Sequence, residues 1–208
     1  MNKLTKFLIV IIIIVIIISL YTYLGVEERI LKHFYPMRYS EYVYDCASNN
    51  DIDPLLIFAV IKTESNFKEK TVSRSGAVGL MQLMENTAEE QAKKNNLQYT
   101  KEKLYEPEYN IKLGTEYFAS LLKIYDNNYI LAFAAYNAGI GNVNNWIDTG
   151  KINKDGSDFE NIPFKETNMY VRKIIRNYKI YKKITNKIWI NIILNVSISI
   201  CLHFFMHN

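Results

Sequence analysis

The sequence predicts an all-α protein, on three observations. Its periodic apolar stretches run to helical length, its alternating runs are too short for a half-buried sheet, and its Val, Ile and Thr clusters fall in two end segments long enough to cross a bilayer. With 208 residues there is room for one domain of ordinary size plus something extra, and the two ends supply the extra.

The first end is an anchor, residues 1–25. Phe7 to Leu24 is an unbroken apolar or uncharged run behind Lys3 and Lys6, long enough to span as a helix. A cleaved signal peptide is the competing reading. The run is long and Ile-rich and no Ala-x-Ala-like site follows it, which favours an uncleaved transmembrane helix. Lys3 and Lys6 place the N-terminus in the cytoplasm, while Glu27, Glu28, Arg29 and Lys32 nearly cancel on the far side, so the main domain is expected outside.

A linker, residues 26–38, carries a helix over Glu27 to Tyr35 that Pro36 breaks. The main domain, 39–183, opens with a helix over Tyr39 to Ser48 and a turn at Asn49-Asn50. Asp53 then reads as an N-cap and Pro54 as a first helical residue. Leu55 to Ile61 are all apolar, so this helix is buried on nearly every side. Glu64 closes it. Desolvation and the negative end of the helix dipole both disfavour the anion there and raise the pKa, as a general acid near neutrality requires. An ordinary solvated Glu is the plain alternative.

A polar loop with Ser73, Gly76 and Gly79 leads into Gly79-Leu80-Met81-Gln82, where glycines allow a tight turn and a close backbone approach. Thr87-x-x-Glu90 is a capping-box pattern opening a short helix that ends near Asn95-Asn96. Pro107 to Tyr125 is a long helix with a core face through Ile111, Phe118, Leu121 and Leu122. Ile130 to Ala138 is another, with Ala132, Ala134 and Ala135 for close packing and Gly139 as its C-terminal cap. Val143 to Ile147 includes Trp146, a packing residue or a sugar platform. Residues Thr149 to Asn161 read as a surface loop, and Phe164 to Lys183 as one helix with Glu166 in its first turn.

The tail, 184–208, holds a second apolar helix over Ile188 to Phe205. Lys187, Asn191, Asn195, Ser199 and His203 draw a polar stripe along it, which suits either a second span or a helix in the interface. Charge excludes a nucleic-acid partner. Of 25 Lys+Arg against 21 Asp+Glu, removing Lys3, Lys6 and Lys187 leaves 22 against 21, with no clustered basic face before the last helix. Cys46 and Cys201 make no disulfide framework, and no His, Cys and Asp cluster has metal-ligand spacing.

Four blocks stand out in order: Glu64-Ser65; Ser73-x-x-Gly76-Ala77-x-Gly79-Leu80-Met81-Gln82; Ala135-Tyr136-Asn137-Ala138-Gly139; and Ile162-Pro163-Phe164-Lys165-Glu166-Thr167 followed by Tyr170-Val171. Together, over roughly Tyr39 to Lys183, they resemble the soluble-lytic-transglycosylase-like family of peptidoglycan-cleaving enzymes. One departure is Glu85, where that family often has a proline. The resemblance implies a lysozyme-like fold, peptidoglycan glycan strands as substrate, an extracytoplasmic catalytic domain and no cofactor or metal. It implies Glu64 as the catalytic acid, with Ser65, Ser73, Met81, Gln82, Tyr136, Asn137, Glu166 and Tyr170 contacting substrate and Tyr136 reaching toward the Glu64 carboxyl.

Ordinary glycosidases pair two carboxyl groups. Glu69, Glu85 and Glu166 offer no clear partner spacing to Glu64, and a lytic transglycosylase needs none. There the acid protonates the glycosidic oxygen, the N-acetyl group steadies the positive centre, and the C6 hydroxyl closes a 1,6-anhydro ring on N-acetylmuramic acid. A goose-type-lysozyme-like hydrolase and a non-catalytic wall-binding scaffold, in a secretion or division assembly, are the alternatives.

Overall fold

The computed structural model describes residues 2–206, with side chains described for 2–186 apart from 18, 22, 23 and 28. Helices α1 (Lys3–Tyr23) and α2 (Val26–Phe34) come first, then α3 (Ser40–Asn49) and α4 (Pro54–Glu64). There follow α5 (Glu85–Lys94), α6 (Pro107–Ile124), α7 (Tyr129–Ala138), α8 (Ile140–Asp148) and α9 (Lys165–Met206). Among the described residues there is no strand, only isolated bridges of Val78 to Val72 and to Leu83. The all-α expectation holds.

Residues Met37–Lys183 form one compact unit, and the residues on either side of them a second. Among the described residues α1 is the one helix long and apolar enough to cross a membrane; Lys3–Tyr21 has a mean hydropathy of 2.9 and no buried side chain among those described. Helix α9 continues through Lys183 without a stop, so the two helices expected there are one. The polar stripe expected over Lys187 to His203, and Cys201 with it, lie outside the described side chains.

The compact unit is built around α4. Asp53 caps it by accepting a hydrogen bond from the Leu55 N–H at 2.9 Å, and Pro54 sits where its missing N–H costs nothing. Leu55 to Ile61 are all buried, each of the side chains larger than Ala59 contributing about 1.5–3 kcal/mol. Phe58 packs on Tyr44 of α3, Phe67 of the following loop and Tyr181 of α9. The second oxygen of Asp53 accepts from the Tyr178 hydroxyl at 2.7 Å, which ties the start of α4 to α9. Asp53→Ala removes both the cap and this tie. Its expected cost is about 2 kcal/mol, read as a lower melting temperature.

Helices α6 and α7 join through Phe118 stacked on Phe133, ring centroids 5.1 Å apart. Ala132, Ala134 and Ala135 are fully buried, as close packing requires. Trp146 is buried edge-on against Phe164 and is a packing residue.

The capping box expected at Thr87 does not form. Helix α5 starts at Glu85, and Met84, extended at φ −70° and ψ 147°, holds the N-cap position with no side-chain bond. The paired backbones of Val78 and Leu83 fix the chain just before it, and Glu85 puts its charge in the first turn, where the dipole favours it.

Candidate active site

Three segments converge where α4 ends. The first is α4 itself, whose last residue is Glu64. The second is the loop to α5, and the third is the start of α9, more than a hundred residues later in the chain.

The loop is pinned from below by Asn110 of α6, which is 1% exposed. Its Oδ1 accepts from the Met81 N–H at 2.8 Å, and its Nδ2 donates to the carbonyls of Val78 at 3.0 Å and Leu104 at 2.9 Å. Gly79, at φ +85°, passes so close to Asn110 and the Leu104 carbonyl that a Cβ would collide with both. Ser65 fastens the loop from the other side, its hydroxyl donating to the Leu80 carbonyl at 2.8 Å.

The Glu64 carboxyl is raised from 4.5 to about 7. Burial is the cause. It is opposed by the hydrogen bond that the Tyr170 hydroxyl donates to Glu64 Oε1 at 2.6 Å and by the charge of Lys173. No carboxylate charge acts on Glu64 among the described residues. Burial thus favours the acid while Tyr170 and Lys173 favour the anion, and near neutrality the two forms are close in free energy. Tyr170 and Tyr136 are both pushed well above 10 by burial and then by Glu64, so both remain donors.

Lys173 is held in place by donating to the Thr63 carbonyl at 2.9 Å, at the C-terminal end of α4, and Asn177 one turn on donates to the Thr63 hydroxyl at 2.9 Å. Lys173→Met removes a positive charge that lowers the Glu64 pKa. An activity that needs protonated Glu64 therefore extends to higher pH in this variant, and a pH–rate profile unchanged in position would count against the electrostatic role.

The expected site residues divide in two. Glu64, Gln82, Tyr136, Asn137, Glu166 and Tyr170 gather around the junction of α4, α7 and α9. Asn137 and Glu166 line the same groove as Tyr170, and the Asn137 Oδ1 accepts from the Thr167 hydroxyl at 2.7 Å. Gln82, at φ +49°, donates through Nε2 to the carbonyls of Thr71 and Gly79, which leaves its amide oxygen without a partner among the described residues. Ser73 is partly exposed, and its hydroxyl accepts from the Ala77 N–H.

The other part needs correction. Met81 is fully buried with its side chain against Gly114, and Ser65 is buried with its hydroxyl committed to backbone carbonyls. Both build the loop and neither offers a side-chain polar group to a ligand. Tyr136 stands near enough to feel the Glu64 charge, but its hydroxyl donates to the Met81 carbonyl at 2.7 Å, and the hydrogen bond to the carboxyl comes from Tyr170. Asn110, Lys173 and Asn177 were not foreseen. An Asn and a Lys inside amphipathic helices look like any others until their partners are known.

A helical fold with one half-buried carboxyl beside a groove defines a lysozyme-like class, and the comparisons with known proteins narrow it. The sequence profile of the transglycosylase SLT domain family matches residues 41–159, and the chain belongs to that family. It is 35% identical over 148 residues to the soluble lytic murein transglycosylase of Salmonella typhimurium, covering 70% of this chain and 23% of that one. It is 30% identical over 169 residues to the membrane-bound lytic murein transglycosylase C of Edwardsiella ictaluri, covering 71% of this chain and 47% of that one. Among solved structures, an inactive mutant of the lytic transglycosylase Slt of Pseudomonas aeruginosa superposes with a TM-score of 0.69 at 33% identity, covering 75% of this chain and 26% of that one. The chain thus spans a quarter to a half of the length of these relatives. Glu166, Tyr170 and Lys173 lie beyond the residues that the family profile matches.

Proposed function

We propose that this chain is a membrane-anchored lytic transglycosylase that cleaves the β-1,4 bond between N-acetylmuramic acid and N-acetylglucosamine in peptidoglycan and leaves a 1,6-anhydro end. The observation that carries the reading is a lone carboxyl, Glu64, poised at about 7 and held by Tyr170. Hydrolysis by the usual route needs a second carboxylate to act as base or nucleophile. A transglycosylase needs one group that can give a proton and take one back.

In the first step Glu64 gives its proton to the glycosidic oxygen. The C1–O bond breaks with its electron pair going to that oxygen, and the carbonyl oxygen of the neighbouring N-acetyl group shares the positive charge at C1. Glu64 is now an anion, the form that the Tyr170 hydroxyl and the Lys173 charge stabilise. In the second step the carboxylate takes the proton from the C6 hydroxyl as that oxygen attacks C1 and closes the anhydro ring. Glu64 returns to its starting state, and a pKa near the working pH suits both directions of transfer. The Gln82 amide oxygen, Asn137 and Glu166 are the groups this reading gives the task of holding the sugar.

The reading extends to the whole chain. Residues 1–25 anchor it in the lipid bilayer with the N-terminus in the cytoplasm, 26–38 link, and 39–183 work on the wall side. Digestion of purified wall by the full chain, followed by product mass analysis, tests the proposal. Anhydro ends lighter by one water than reducing ends are expected; reducing ends alone identify a hydrolase.

A further inference from the structure

Only Leu24 and Gly25 stand between α1 and α2. The Leu24 N–H still bonds back to the Leu20 carbonyl at 2.9 Å. Gly25 then turns left-handed, at φ +58° and ψ 33°, and its carbonyl accepts from the Arg29 N–H at 3.1 Å to start the second helix. A left-handed residue ends one helix and gives the next a new direction, and glycine adopts it without a steric penalty.

The break falls at a defined depth. The 21 residues of α1 rise about 30 Å, the thickness of a bilayer's hydrocarbon core. Tyr21 is exposed in its last turn, an aromatic of the kind that sits at headgroup level. A helix that begins at Val26 therefore begins at the bilayer surface.

Helix α2 suits that place. Its nine residues cover about 14 Å, too short to span. Val26, Ile30 and Phe34 recur every fourth residue and share one face, while Arg29 and Lys32 fall outside it. Ile30 is 47% and Phe34 60% exposed, so the apolar face is not covered by the chain itself. Arg29 and Lys32 are exposed too, whereas Glu27, in the first turn, is partly buried. A face this short is far smaller than the roughly 800 Å² per partner that a stable protein interface needs. A helix with aliphatic and aromatic side chains on one side and cations on another can instead lie flat in a bilayer surface, its charges among the lipid phosphates.

We propose that α2 lies in the outer surface of the bilayer, with Ile30 and Phe34 among the acyl chains and Arg29 and Lys32 at the headgroups. The proposal rests on reading α1 as the anchor and is independent of what Glu64 does. Its consequence is a short tether. The compact unit begins at Met37, so Tyr35 and Pro36 alone separate it from α2. A helix free in water would let that unit swing on the whole of 26–36. A helix held in the interface confines it to glycan next to the membrane.

Spin labelling of the full-length protein in vesicles of phosphatidylethanolamine and phosphatidylglycerol tests this. With Cys46→Ala and Cys201→Ala as background, a nitroxide is attached after Ile13→Cys, Arg29→Cys, Ile30→Cys, Lys32→Cys or Phe34→Cys, one at a time. Collision with dissolved oxygen, which enters the bilayer, is compared with collision with a water-soluble nickel chelate. The oxygen-to-nickel ratio is expected to be about tenfold or more higher at Ile30 and Phe34 than at Arg29 and Lys32, and highest at Ile13. Water-like ratios at all four positions of α2, with a lipid-like Ile13, overturn the inference and keep the anchor. Exclusion of both reagents from Ile30 and Phe34 shows a face covered by protein, either a second copy or the chain's own tail, and overturns it too. A water-like Ile13 removes the anchor and this inference with it. A chain that shows the expected pattern yet cuts no wall keeps the inference and loses the transglycosylase reading.

Discussion

Glu64→Gln is expected to lower glycan cleavage by about 10³-fold or more while making the protein more stable above neutral pH. The first effect follows from removing the carboxyl that gives and takes back the proton in the proposed reaction. The second follows from the same burial that raises this carboxyl from 4.5 to about 7. Between those values the folded protein holds a proton that the unfolded chain has released, so stability falls as pH rises through the interval. Below pH 4.5 both states are protonated and the penalty vanishes. Above pH 7 it is complete, at about 3 kcal/mol for a shift of this size. Gln carries no charge to bury and still offers Oε1 to the Tyr170 hydroxyl. The variant should therefore melt about 5–10 °C higher than the parent at pH 8 and at nearly the same temperature at pH 4. Thermal unfolding at the two pH values checks this. A variant that is inactive because it is destabilised would show the opposite sign at pH 8.

Asn110→Leu is expected to carry the largest stability loss of any single change outside the apolar core. Leu fills a similar volume but leaves the Met81 N–H and the Leu104 carbonyl buried without partners, and the Val78 carbonyl with the Leu83 N–H alone. At about 1–3 kcal/mol for each orphaned group, the cost is about 3–5 kcal/mol, a fall in melting temperature of about 8–15 °C. Activity should suffer before the fold does. The segment from Gly79 to Gln82 is held by these bonds, and the Met81 carbonyl is the acceptor for Tyr136. A chemical denaturation midpoint within experimental error of the parent would show that the loop is held by something other than Asn110.

Much of the scaffold was legible in the residues. The continuous apolar run of Leu55 to Ile61 between Asp53-Pro54 and Glu64 announces a buried, capped helix, and Ala132, Ala134 and Ala135 announce close packing. These signals are local, and local signals survive folding when nothing competes with them. Thr87-x-x-Glu90 is an equally local pattern, yet it loses to a tertiary constraint, because the Val78–Leu83 pairing delivers the chain to the helix three residues earlier, with Met84 as the N-cap. Helix α9 passes Lys183 because neither Gly nor Pro lies between it and Ile188, a signal that was present and outweighed by the change in hydropathy.

The site was legible as a set of positions and not as a set of contacts. Sequence blocks point to Glu64, Tyr136 and Tyr170 alike. Which tyrosine meets the carboxyl depends on how α9 lies against α4, and no spacing along the chain encodes that. Met81 and Ser65 show the same limit. Their place in a motif marks the loop as special, while the direction of each side chain is set by Gly114, Leu80 and Asn110 beneath it.

The most direct measurement is the titration of Glu64 itself, by carbon-detected magnetic resonance of the side-chain carboxyl carbon in the full-length protein, with Glu64→Gln to assign the signal. A midpoint near 7, moved upward by Lys173→Met, is the expected result. A midpoint near 4.5 would leave no proton on this carboxyl at neutral pH and would contradict the account at its centre.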